Sequence, residues 1–155
     1  MIKDNRTDEL KRLVEDQAKK ALHKCALLSE RYAKVELSKP KPHANGVVRP
    51  NVDTGLLRNS ITTALGGESP RQTNYKSDDG TKSGFYSGTM DPMTTDSGEP
   101  MLSVSVGTNV EYAPYVEMGT YKMSAYPYIK PAIQDHITEY QNIITEELSE
   151  LNNKK

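Results

Sequence analysis

The chain has no tryptophan, one phenylalanine and one cysteine, Cys25. With only 35% of its 155 residues hydrophobic, a lone copy would have a thin core, and help from partner chains is expected. A single cysteine excludes an intrachain disulfide and favours a reducing site of synthesis. No run approaches the roughly 18 apolar residues of a membrane span, and the opening "MIKDNRTDEL" lacks the apolar centre of a signal peptide. A soluble, non-secreted chain with no membrane partner is predicted.

Charge of one sign is also missing. Residues 1–50 hold 12 Lys and Arg against 7 Asp and Glu, while 51–100 and 101–155 each hold 4 against 7. This gradient is too mild for a dedicated nucleic-acid binder, which concentrates cations on a stripe, but it can orient neighbouring copies.

The patterns of known chemistry are absent too. His23, His43 and His136 are scattered, without paired helical spacing or cysteines to complete a metal set. In "KSDDGTKSGFYSG" the adjacent Asp78 and Asp79 leave alternate ligand positions unfilled, so a solvated turn is favoured over a calcium loop. Gly80, Gly84 and Gly88 lack the Lys-Ser/Thr ending of a phosphate loop, and no nucleophile elbow occurs. No catalytic, metal or cofactor site is expected, and no enzymatic activity.

What is present is organised as one α+β domain. Residues 8–37 carry a 3.6-residue apolar stripe through Leu10, Leu13, Val14, Ala21, Leu22, Cys25, Leu28 and Tyr32, broken by Gln17. A long helix is predicted, capped by Thr7 or Asp4, with Cys25 as a packed structural thiol rather than a nucleophile. The proline-rich stretch 38–51 cannot be regular helix and reads as an extended arm or linker. In 52–65 a short helix, capped by Asp53 or Thr54, gives way to a strand-like run through Ile61, Thr63 and Leu65.

Residues 66–100 are rich in Gly, Ser, Thr and Asp and poor in aliphatics, which predicts a flexible insert that orders against neighbours in an assembly. A hairpin around Tyr75 and Phe85–Tyr86 is compatible with it but not required. In 101–126 the alternation of "MLSVSVGT" puts Leu102, Val104 and Val106 on one face of a strand that should pair antiparallel with 61–65. Within 127–151, apolar residues at 129, 133, 137, 140, 144, 148 and 151 predict one nearly straight helix, with Pro127 and Pro131 at its start.

In "VGTNVEYAPYVEMGT" (106–120), Pro114 suits the start of a short helix, while Gly107 and Gly119 read as backbone punctuation. Tyr112, Tyr115, Tyr121, Tyr126 and Tyr128 crowd into an irregular segment that cannot turn them all inward. They are expected to serve subunit contacts more than the monomer core; the alternative is that they roof the sheet. Arg58 and Glu117, each on a short helix beside a strand, are expected to lie close together, within the subunit or across a subunit boundary.

The blocks "VDTGLLRNSI", "VGTNVEYAPYVEMGT" and "PYIKPAI", in this order, resemble the siphophage tail-component proteins of the head–tail junction, called neck, head–tail joining or tail-completion proteins. The resemblance carries Asp53, Thr54, Gly55, Leu57, Arg58, Gly107, Tyr112, Ala113, Glu117, Gly119, Thr120, Pro127 and Pro131 as family positions. It implies a small antiparallel sheet packed by long N- and C-terminal helices. The subunits would form a ring, expected to be hexameric, at the head–tail junction of the virion, beside the connector and tail-tube proteins. DNA would pass through the ring without specific binding. The alternatives are a tail terminator capping the tube or, further off, a phage DNA-binding factor or enzyme.

Overall fold

The computed structural model describes residues 5–42, 46–50, 54–98 and 101–153. Helix α1 runs unbroken over Asn5–Ser38, a stretch with no glycine or proline, and is about 50 Å long. It ends where Lys39–Pro40 forbids another turn. Thr7 lies inside it and is not its cap, and Asp4 is outside the described residues.

The predicted straight C-terminal helix is in fact two, α4 (Ile129–Gln134) and α5 (Ile137–Asn153), separated by a turn at Asp135–His136. The Tyr140 hydroxyl donates to the Ala132 carbonyl at 2.6 Å, taking the acceptor that the His136 N–H would have used in a continuous helix. His136 instead stacks on Tyr32, ring centroids 3.5 Å apart.

Helix α5 lies antiparallel along α1. From its start onward, Tyr32 donates to Glu139 (2.7 Å), the Cys25 thiol points at the Tyr140 carbonyl, and Lys24 pairs with the buried Glu147. Gln17, the polar break in the α1 stripe, is buried because it donates to Glu147 and Glu150 at 3.2 and 3.3 Å. Lys24 and Gln17 offset the acidic C-terminal end that α5 read by itself would carry.

The core forms where the C-terminal half of α1 meets the sheet and short helices, around Ala33, Leu37, Leu57, Ile61, Val116, Tyr128 and Ala132. Strand β3 (Thr62–Leu65), entered from helix α2 (Leu56–Ser60), pairs antiparallel with β6 (Val104–Gly107), from Thr62 opposite Gly107 to Leu65 opposite Val104. This is the predicted pairing of stems. The pairing starts only at Val104, so Leu102 stays exposed while Ser103 is covered and its hydroxyl accepts the Met93 N–H. Gly107 is the last β6 residue, in extended backbone with open space at its Cα, and not a turn glycine.

Residues 66–98 of the insert carry structure of their own. Strands β4 (Asn74–Lys76) and β5 (Ser83–Phe85) form a hairpin that places Tyr75 in the core. The Tyr75 hydroxyl donates to Asn109 Oδ1 (2.6 Å), and Asn109 donates to the Phe85 carbonyl (2.7 Å). Arg71 grips the buried Glu30 of α1 through both carboxylate oxygens at 2.7 and 2.8 Å. Two polar-tipped side chains thus anchor a segment that scarcely has aliphatics to bury. Beyond the hairpin, Met90 exchanges backbone bonds with Gly67 and Glu68 just past β3, and the Met93 N–H and Asp91 carbonyl meet the hydroxyls of Ser103 and Ser105 on the β6 side.

The proline-rich arm folds back on itself: β1 (Pro40–Pro42) pairs antiparallel with β2 (Val48–Pro50). His43 is outside the described residues.

Candidate assembly surface

Helix α3 (Ala113–Met118) is the centre of the second family block. Six residues cannot hold a helix alone, and each position is fixed by something outside it. Ala113 and Val116 point into the core, and Pro114 occupies the first turn, where its missing N–H costs nothing. Gly119 ends the helix at φ 76°, ψ 178°, and a Cβ there would meet the Ala125 nitrogen at 2.7 Å and the Met123 oxygen at 2.8 Å. The returning chain passes too close for any side chain.

Glu117 reaches forward to the start of α4. Its carboxylate accepts the backbone N–H groups of Tyr128 (2.7 Å), Ile129 (3.0 Å) and Lys130 (2.9 Å). These are donors that a helix start leaves unsatisfied. Within the subunit, then, Glu117 does not pair with Arg58, contrary to the first of the two arrangements expected. Pro127 leads into this helix, and Pro131 sits in its first turn.

Arg58 belongs to a different cluster. Its guanidinium contacts both oxygens of Asp78 at 2.7 Å, and Asn59 donates to Asp78 Oδ1 at 2.9 Å. The Asn59 hydrogen bond, followed by the Arg58 charge, lowers the Asp78 carboxyl below its usual range. Asp78 in turn donates its backbone N–H to the Thr54 carbonyl at 2.7 Å. Gly55, at φ 72°, takes the N-cap position of α2 that Asp53 or Thr54 was expected to fill. A Cβ on Gly55 would strike the Asp78 carboxylate at 2.3 Å, and the Thr54 hydroxyl is a marginal 3.5 Å from the Leu56 nitrogen. Asp53 lies outside the described residues. This first family block thus joins α2 to the β4–β5 hairpin, an attachment that Asp78 makes and that sequence spacing gave no means of finding.

The five tyrosines divide. Tyr128 is 1% exposed, its hydroxyl pushed up in pKa by burial, and Tyr126 is buried with its hydroxyl on the Lys39 carbonyl. Neither is available to a partner; they are core residues because the chain after Gly119 folds back beneath α3. Tyr112, Tyr115 and Tyr121 are exposed, Tyr121 at 91%. Tyr115 and Met118 are exposed on the side of α3 away from Ala113 and Val116, Tyr112 is exposed at its N-cap, and Tyr121 is exposed in the turn that follows Gly119. The result is an outward aromatic and thioether face on a helix pinned at both ends.

Among the described residues, no group of three or more His, Cys, Asp or Glu is placed to hold a metal, and no helix is long and apolar enough to cross a membrane. Neither a curated protein nor a solved structure matches the chain. A family model described as "Bacteriophage HK97-gp10, putative tail-component" matches residues 4–119, from the start of α1 through the Gly119 that closes α3. The chain belongs to that family of bacteriophage tail components.

Proposed function

We propose that the protein is a ring-forming structural subunit at the head–tail junction of a tailed phage, acting in tail completion or head–tail joining. The ring is expected to be hexameric, to contact connector and tail-tube proteins, and to let DNA through its lumen without specific binding. No enzymatic step or cofactor belongs to this reading.

The observation that carries it is the outward face of Tyr112, Tyr115, Met118 and Tyr121 in a chain of this family. Large aromatic and Met side chains left in water on a rigid support are the composition of protein interfaces. The mass of the particle in solution tests the reading. The unaltered chain should assemble to several times its 17.3 kDa, and Tyr115→Ser with Tyr121→Ser should release folded monomers. A monodisperse monomer at high concentration, or normal virions from phage lacking the gene, would overturn it.

A further inference from the structure

Residues 66–98 are fastened to the rest of the subunit largely by polar contacts. Within that span only Pro70, Tyr75 and Ser77 are buried, and Tyr75 is the one large side chain among them. Two hydroxyl bonds, from Tyr75 to Asn109 and from Tyr86 to the Ser60 carbonyl, tie the span down. Two charged contacts complete the attachment: Arg71 on Glu30 of α1, and Asp78 on Arg58 of α2, each engaging both carboxylate oxygens at 2.7–2.8 Å. The body beneath is held differently, by apolar packing of Ala33, Leu37, Leu57, Ile61, Val116 and Tyr128.

The segment can leave without orphaning its anchor. Glu30 is buried, and a buried carboxylate stripped of every cation is costly. Lys34, one turn along the same helix, also donates to Glu30 Oε1 at 2.6 Å, so the charge keeps a partner when Arg71 departs. Gly67 at φ 79° and Gly98 at φ 82° flank the span, each with nothing within 4 Å of its Cβ direction, and serve as hinge points.

What the segment covers is the outer side of β3. The Thr63 carbonyl accepts the Arg71 N–H at 2.9 Å, and the Thr62 hydroxyl accepts the Gln72 N–H at 3.2 Å. β3 carries no charge or proline, the devices that blunt an open strand edge, so its protection comes from this cover.

We propose that residues 66–98 form a latched strap, which opens from β3 as one unit while α1, α5 and the apolar core stay folded, with Arg71 on Glu30 as the catch. Closed, it hides the β3 edge; open, it bares the Thr62 and Thr63 acceptors. Opening lifts Tyr75 out of the core, which keeps the closed form dominant. The latch belongs to the single subunit and does not depend on the ring.

Native-state hydrogen exchange of the unaltered chain tests it. The amides of Gln72, Ser77 and Tyr86, bonded to Thr62, Lys82 and Thr73, should share one protection level, roughly a hundredfold or more below that of Ala26 and Ala33 inside α1. Arg71→Gln should speed the three together by roughly tenfold or more and leave Ala26 and Ala33 unchanged. Arg71→Lys, which keeps the charge but loses the two-oxygen grip, should give a smaller rise of the same kind. Three amides as slow as those of Ala26 and Ala33, three unrelated protection levels, or a substitution at Arg71 that speeds α1 equally would overturn the latch.

Discussion

Glu117 and Tyr128 are joined across the turn that separates α3 from α4, the carboxylate accepting the Tyr128 N–H at 2.7 Å. Tyr128 is the N-cap residue of α4 but gives it no side-chain bond, so the cap is supplied from eleven residues earlier.

Replacing Glu117 by Gln should therefore destabilise the subunit by about 1.5–3 kcal/mol, the usual range for hydrogen bonds to a charged acceptor. Glutamine keeps one acceptor oxygen and turns an NH2 group toward backbone donors. A lowered urea midpoint at unchanged slope is the expected result. An unchanged midpoint would mean that water caps α4 equally well.

Gly119→Ala and Gly107→Ala should behave oppositely. At Gly119 a methyl group meets backbone atoms at 2.7 and 2.8 Å in a left-handed φ, and a loss of at least about 2 kcal/mol is expected. At Gly107 nothing lies within 4 Å and φ is not positive, so the change should stay within about 0.5 kcal/mol. Thermal melts of the two variants decide it.

Tyr128→Ala should cost about 3–5 kcal/mol of folding stability, as for truncation of other large buried aromatics. Tyr121→Ala, at a 91% exposed position, should leave the monomer melt unchanged. Equal losses at the two positions would contradict the division of the tyrosines into core and surface.

Acid should loosen the β4–β5 turn. Asp79 is held at a pKa of about 2, chiefly by the Ser77 hydroxyl and then by the Thr81 N–H and hydroxyl. Its folded pKa lies below the ordinary value near 4, so its contribution is complete above about pH 4 and is lost as pH falls toward 2. Amide exchange at Thr81 should rise through that window in the unaltered chain. In Asp79→Asn, whose side chain does not titrate, this component of the rise should vanish; its persistence would place the acid-sensitive group elsewhere.

Periodic apolar patterns made the long elements legible. The stripe from Leu10 to Tyr32 marked α1, and the alternation around Val104 and Val106 marked the strand that pairs with 62–65. What pattern did not show were structures made by single polar contacts. The Tyr140 hydroxyl occupies a carbonyl at the break between α4 and α5, Arg71 fastens a low-complexity stretch to Glu30, and Asp78 holds the arginine expected beside Glu117. Such partners lie 8 to 41 residues apart and have no period to betray them. The division of the tyrosines was half legible: crowding in 112–128 showed that some must face outward, but only the chain reversal after Gly119 decides which.

The pairing of Leu65 with Val104 also bears on the order in which the chain acquires its shape. Closing a flexible loop becomes costlier by about 0.6 kcal/mol for each doubling of its length, and the ladder spans the whole insert. The α1–α5 pair offers no shortcut, since its halves lie still further apart in sequence. The grip of Arg71 on Glu30 closes a span at least as long as that between Leu65 and Val104, so loop closure favours neither over the other. Both are long-range contacts joining pieces that the local helices do not bring together, the kind of topology that slows folding.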